Sequence, residues 1–147
     1  MINNILISQV SVFIENEIGK LYEIADILGR NNINIRALSL ADTSDFGILR
    51  LILDDPIKGY DMLKHYDFTV GKTDVIAVEV PDKPGGLASV LKVLSVNFIN
   101  IEYMYAFVER SGEFAVMIFR FDETEKAIKA LKDNNVTMIS ADKLYNL

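Results

Sequence analysis

Two stretches of the chain, residues 12–35 and 78–101, carry nearly the same text at a fixed spacing of sixty-six positions. The first reads VFIENEIGKLYEIADILGRNNINI and the second VEVPDKPGGLASVLKVLSVNFINI. Gly19 falls on Gly85, Leu21 on Leu87, Leu28 on Leu94, Asn31 on Asn97, and Ile33-Asn34-Ile35 on Ile99-Asn100-Ile101. A repeat constrains the fold strongly, because each copy must be one supersecondary unit and the unit is built twice. Length alone, 147 residues, suggests a single domain. The repeat overrides that prior and predicts two units, 1–72 and 73–147, each too small to bury a large core alone. Half the residues are apolar and the mean hydropathy is +0.22, so the units are expected to pack together or the chain to oligomerise.

Each copy reads as strand, helix, hairpin, helix, strand. From Ile5 to Ile14 the chain is β-rich, and Val10, Val12 and Ile14 alternate with Ser11 and Phe13. Leu21, Ile24, Ala25, Ile27 and Leu28 keep helical spacing, as do Leu87, Val90, Leu91, Val93 and Leu94. Asn16 is placed to cap the first helix; Asn31-Asn32 and Val96-Asn97 close the two. Asn34–Ala41 and Phe46–Leu53 form a hairpin about a polar turn at residues 42–45, matched by Asn100–Val108 and Glu113–Phe121 about a longer turn. Beyond that turn the spacing becomes sixty-eight, with Asp54 on Asp122, Lys58 on Lys126 and Thr69 on Thr137. Asp55-Pro56 starts a helix, Asp as cap and Pro in the first turn. Asp122 with Glu125 fits a capping-box variant. Closing strands follow near Phe68–Lys72 and Val136–Ser140, and the first runs almost directly into Asp74–Val80. No flexible linker separates the units, which are expected to hold a fixed mutual orientation.

Each unit is therefore βαββαβ, in an α+β fold with helices on one face of an antiparallel four-stranded sheet, the ferredoxin-like arrangement. Tyr103, Tyr105 and Phe107 line one face of a strand while Met104, Ala106 and Val108 line the other. A strand apolar on both faces predicts a sheet covered on both, by a second sheet, a helix pair or a subunit.

Composition removes several function classes. The net charge is −6 and no Lys/Arg cluster occurs, which disfavours nucleic acid and anionic membranes as partners. There is no cysteine for disulfides, thiolate metal sites or a thiol nucleophile. The first residues have no basic region and their apolar residues are interrupted by polar ones; they read as a strand and not a signal peptide. No apolar run approaches the roughly 20 residues of a membrane helix, so a cytoplasmic chain is the expectation.

The sharpest local feature is the turn before the first helix of each unit: Glu15-Asn16-Glu17-Ile18-Gly19-Lys20-Leu21 and Pro81-Asp82-Lys83-Pro84-Gly85-Gly86-Leu87. Glycine admits close approach of a ligand to the backbone, and the helix start offers unpaired N–H groups suited to a carboxylate. Asn16 or Asp82 offers an oxygen to an ammonium group. Asn34 and Asn100 open the next strand and are expected near the same end of the sheet. The ordinary structural reading is that Asn and Asp cap helices and Gly makes the turn; recurrence of the combination in both copies favours a site.

The run from a strand through D-x-P-G-G-L (Asp82 to Leu87), an amphipathic helix and I-N-I (Ile99-Asn100-Ile101) resembles the ACT domain family. The first copy matches at Gly19, Leu21 and Ile33-Asn34-Ile35, with Ile18 where proline is usual. The resemblance covers nearly the whole chain as a tandem pair. It implies ferredoxin-like modules that bind amino acids and regulate enzymes of amino-acid metabolism, with the effector where two modules meet. Carried over, it nominates Asn16, Gly19, Lys20, Leu21 and Asn34 in the first copy, and Asp82, Gly85, Gly86, Leu87 and Asn100 in the second. Backbone amides around Gly19–Leu21 or Gly85–Leu87 would hold the α-carboxylate, and Asn16/Asn34 or Asp82/Asn100 the α-amino group.

Other candidates are weaker. His65 is the only histidine, near a helix end beside Tyr66, and reads as a surface residue. Asp54-Asp55 and Asp122-Glu123 sit at helix starts, where the dipole favours acids over a metal role. The Tyr103/Tyr105/Phe107 stripe lacks the basic residues of an RNA platform, and the glycines do not form a nucleotide loop. With no nucleophile–base set and no thiol or metal ligands, the sequence predicts a non-enzymatic sensor, without cofactor or metal. Its expected partners are a free amino acid and either a second copy (a dimer) or an enzyme of amino-acid metabolism. The alternatives are a regulatory subunit of the acetolactate-synthase small-subunit type, an acylphosphatase-like enzyme, for which the loops lack an arginine, and a scaffold that binds nothing.

Overall fold

The computed structural model describes residues 2–15, 17–42, 45–107 and 113–147. One helical turn, α1 (Ile2–Ile5), leads into β1 (Leu6–Glu15). The elements that follow are α2 (Lys20–Arg30), β2 (Ile35–Asp42), β3 (Phe46–Leu53), α3 (Pro56–His65) and β4 (Thr69–Pro81). Then come α4 (Gly86–Val96), β5 (Ile101–Ala106), β6 (Phe114–Phe121), α5 (Thr124–Asp133), β7 (Met138–Ile139) and α6 (Ala141–Tyr145). The chain divides into two compact units, Ser8–Thr73 and residues 74–147 with the segment that ends at Ile7.

In the N-terminal unit β3 lies between β1 and β2, antiparallel to both. The pairs Val10↔Leu51, Val12↔Leu49 and Ile14↔Gly47 fix the register. With a period of two, Val10, Val12, Ile14, Leu49, Leu51 and Leu53 share the face under the helices. They pack against Ile24, Ile27 and Leu28 of α2 and Leu63 of α3. Helix α3 sits close on this face because Gly59 has no side chain; a Cβ there would lie 2.3 Å from Leu53 Cδ1.

In the C-terminal unit β4 pairs with β6 and β7, and β6 with β5, all antiparallel. The core joins Ile76, Val78, Val80, Phe119 and Phe121 of the sheet to Val90 and Leu94 of α4 and Ala127, Ile128 and Leu131 of α5. The Phe119 and Phe121 rings stack at 5.4 Å with 4° between their planes. Residues on the opposite face are buried as well, among them Val75, Ala77, Tyr105, Val116 and Ile118, which fits a sheet apolar on both sides.

Local chemistry explains most element ends. The Asp55 carboxylate accepts a hydrogen bond from Lys58 N at 3.1 Å, with Pro56 behind it in the first turn. The Asn31 and Asn97 amides donate to the carbonyls of Ile27 and Val93 at 2.8 and 2.7 Å, the same closure in both copies. Three expectations are corrected. The first residues open as a helical turn before the strand. The capping box at Asp122 does not form; Glu123 is the N-cap of α5 and makes no side-chain cap bond. The final strand shrinks to Met138–Ile139 because Ser140 starts α6, its hydroxyl accepting from Lys143 N at 3.3 Å. The expected turn at residues 109–112, with Val108 before it, lies outside the described residues.

Among the described residues four non-glycine positions have left-handed backbone: Asn32, Asp67, Phe98 and Asn135. Each stands in the turn just past a helix, and Asn and Asp tolerate that conformation through local hydrogen bonding. Phe98, at φ 58° and 86% exposed, has no such compensation. The conformation costs a bulky residue about 1–2 kcal/mol, part of which glycine's unfolded-state entropy offsets. Phe98→Gly is therefore expected to stabilise the protein by roughly 0.5–1 kcal/mol, read as a higher urea midpoint at unchanged m-value. Asn32→Gly should change the midpoint little.

Candidate functional site

The two repeated loops fold alike. Glu17 N donates to Glu15 O at 2.8 Å and Lys20 N to Glu17 O at 3.4 Å; Lys83 N donates to Pro81 O at 3.0 Å and Gly86 N to Lys83 O at 2.9 Å. Each turn then passes through a left-handed glycine, Gly19 at φ 90° and Gly85 at φ 82°, which is the N-cap of α2 or α4. Positive φ is the reason glycine stands there. It also leaves both helices with no side-chain cap, so the first-turn N–H groups and the positive helix end face outward without a side-chain acceptor.

This arrangement removes the ordinary reading of Asp82 as a cap. Asp82 is exposed and three residues short of the cap position; its N–H donates to Glu113 O at 3.0 Å. Asn16, expected as the cap of the first helix, lies outside the described residues, and Gly19 holds that position. Leu21 and Leu87, which keep helical spacing with the buried positions of α2 and α4, are 44% and 38% exposed. Helical spacing identifies a face, but both leucines stand in the first turn, two residues past the Gly19 and Gly85 caps, and border the loops.

The asparagines are elsewhere. Asn34 N donates to Asp54 Oδ1 at 2.9 Å and Asp54 N donates to Asn34 O at 3.1 Å. Its counterpart Asn100 accepts from Asp122 N at 3.4 Å. Both latch the start of a strand to the end of the neighbouring one. In the N-terminal unit Glu15 pairs with Phe46, so the glycine loop lies at the opposite end of β3 from Leu53 and Asp54. Seven residues at about 3.3 Å each put the two ends roughly 23 Å apart. The expectation that Asn34 opens near the same end as Gly19 is therefore overturned: α2 carries the chain back along the sheet before β2 begins.

Around the N-terminal loop the surface is hollow. A cavity of about 70 Å³ lies against Ile14, Glu15, Glu17, Lys20, Leu21 and Leu40. A wider one of about 290 Å³ opens between Phe13, Glu15, Lys20, Glu23 and the Tyr66–Thr69 turn. At the equivalent of the second cavity, the C-terminal unit has one of about 300 Å³ bordered by Pro81, Ser89, Val90, Phe114 and residues 135–137, with Glu79 its one ionisable lining residue. The Glu17 carboxyl is held above the ordinary carboxylate range, first by its hydrogen bond to Glu15 and then by the charge of that neighbour. Among the described residues no three His, Cys, Asp or Glu are grouped to hold a metal, and no helix is long and apolar enough to cross a membrane. His65 is exposed and meets Tyr66 edge-on at 5.5 Å.

Comparison with known proteins agrees with this architecture. A family profile described as an ACT domain pair matches residues 5–147. Protein BT0572 from Bacteroides thetaiotaomicron, of solved structure, is 41% identical over 99% of both chains with a TM-score of 0.93. The regulatory subunit of aspartate kinase from Thermus thermophilus, in its ligand-free form, shares the fold at 12% identity and a TM-score of 0.58, covering 89% of this chain and 94% of that one. Its Thermus flavus counterpart does so at 14% identity and 0.60, over 88% and 92%. No curated protein sequence matches the chain.

Proposed function

The chain belongs to the ACT domain-pair family, and from that premise we propose that it is a non-catalytic regulatory protein that binds a free amino acid. The observation that carries this reading is the uncapped helix start behind a left-handed glycine, present twice and hollowed out around Glu15 and Lys20. Outward N–H groups and a positive helix end suit an α-carboxylate. Adjacent carboxylates suit an α-ammonium.

The roughly 23 Å between the Gly19 loop and Asn34 exceeds the span of one amino acid. A site that uses both must draw them from two different modules, which makes assembly part of the reading. The ligand would then favour one arrangement of modules, and whatever prefers that arrangement would be stabilised or released. The proposed setting is the cytoplasm, as an oligomer or beside an enzyme of amino-acid metabolism. Co-purification with a larger catalytic chain separates the second case from the first.

A thermal-shift screen against the twenty amino acids tests the function. At a ligand concentration about 100 times Kd, binding to the native state adds roughly 2.7 kcal/mol, a shift of several degrees for a chain of this size. No shift with any amino acid removes the sensor reading.

A further inference from the structure

We infer that the outer face of α4 is a contact surface for a second copy of this chain, closed when Phe98 of each copy enters the hollow beside Ser89 and Val90 of the other. The inference stands apart from amino-acid binding and holds whatever the loops take.

The repeat supplies the comparison. Along the outer side of α2 stand Glu23, Asp26 and Arg30, with Lys20 3.8 Å from Glu23 and Arg30 3.0 Å from Asp26. The same positions of α4 hold Ser89, Lys92 and Val96, which share one face at helical spacing. Asn32, just past α2, becomes Phe98, just past α4. One helix carries ion pairs into water; the other keeps a single charge, Lys92. Val96 is 61% exposed and Phe98 86%. Apolar side chains scattered singly on a surface are ordinary. The loss of the ion pairs along a whole face, ending in an exposed aromatic residue at φ 58°, is not. Strain of this kind persists where a function uses it.

The occupant follows from what lies at the other end of the same helix. Ser89 and Val90 border the open hollow of about 300 Å³, with Pro81, Phe114 and Val136 among its walls. A cavity of roughly 150 Å³ already holds benzene, so a phenyl ring has room. Phe98 stands nine residues beyond Ser89, about 13 Å along the axis, and does not line its own hollow. In a second copy lying antiparallel on this face the spacing is reversed, and each ring meets the other copy's hollow. Knob and hollow on one surface are self-complementary, so a two-fold axis satisfies both at once and the contact closes at two copies. Charge does not oppose it. In that register the two Lys92 residues stand four apart along the axes, roughly 6 Å, with the roughly 8–10 Å between packed helices added. The one ionisable group of the hollow, Glu79, is of opposite sign. An eleven-residue helix and one ring cover less than the roughly 800 Å² per partner of a stable interface. The dimer is therefore weak, with a Kd on the order of 100 µM.

Analytical ultracentrifugation of the full chain, from roughly 5 µM to about 1 mM, tests this. The expected result is monomer at the dilute end and a reversible dimer at the concentrated end. Phe98→Asn supplies a residue that tolerates left-handed backbone. It is expected to weaken the dimer roughly tenfold or more, while the melting temperature of the dilute protein holds or rises. Relief of strain and loss of the contact are thus read separately. Ser89→Glu, a charge at the rim of the hollow, should weaken the dimer as much, and Tyr22→Ala on α2 should leave it unchanged. A chain that stays monomeric at about 1 mM overturns the inference and leaves the face to a different protein. So does a dimer that either Phe98→Asn or Ser89→Glu leaves within about twofold of the parent, which would place the contact elsewhere on the molecule.

Discussion

Phe119→Ala is expected to cost about 3–5 kcal/mol, the usual loss for a buried phenylalanine in a well-packed core. Phe119 is fully buried on β6, between Ile76 of β4 and Met104 of β5 in the sheet. Its ring stacks on Phe121 and faces the buried residues of α4 and α5. Truncation removes both the apolar area and the stacking, and leaves a void walled by two helices and three strands that cannot close together. A unit of this size has a small margin, so a loss of this order approaches its whole stability. Equilibrium urea unfolding, followed by circular dichroism, should show the midpoint fall steeply. A change below about 1 kcal/mol would mean that the Phe119 site relaxes freely and that the C-terminal core is not packed as described.

Gly86→Ala is expected to be the other severe substitution, and for a different reason. The added methyl would meet a backbone carbonyl, not the end of a flexible side chain, at 1.8 Å. Either α4 lifts from β4 or the loop from Pro81 to Gly85 rebuilds. Overpacking of this kind costs about 1–3 kcal/mol and more where backbone must move; about 3 kcal/mol is the expectation. Ser89 Oγ donates to Gly86 O at 2.6 Å, so the first turn would lose that bond as it shifts. The same methyl at the repeat position is harmless: Lys20→Ala removes a loose, partly exposed ion pair worth at most about 0.5–1 kcal/mol. The contrast between the two variants, measured in parallel by urea unfolding, reads directly the difference between a helix start that admits a side chain and one that does not. Equal effects would contradict it.

Much of this architecture is legible in the residues. The recurrence of Gly-x-Leu, the helical spacing and Ile-Asn-Ile names the βαββαβ unit and its duplication, because each motif reports a local event: a tight turn, one buried helix face, a strand start. Asp55-Pro56 marks its helix for the same reason. What escaped was decided at a distance. Glycines cap α2 and α4 because the loop needs positive φ, a requirement invisible beside the better-known capping residues Asn16 and Asp82. Asn34 and Gly19 looked like neighbours because the text lists them in one motif; the length of α2 and the register of β1 on β3 set them at opposite ends. The short helices α1 and α6 fall below the length at which periodicity speaks. The most consequential difference, Lys20 against Gly86, was written in the alignment of the two copies. It gained meaning only when the approach of α4 to Pro81 showed that one position admits a side chain and the other does not.

The account stands on amino-acid binding at the glycine loops before α2 and α4. A ¹⁵N-labelled sample titrated with the amino acid giving the largest thermal shift tests it residue by residue. The predicted result is saturable movement of the amide signals of Glu17, Gly19, Lys20 and Leu21, of Gly85, Gly86 and Leu87, or of both sets. Saturable binding that leaves the signals of both loops, Glu17 to Leu21 and Gly85 to Leu87, in place and moves others would contradict it.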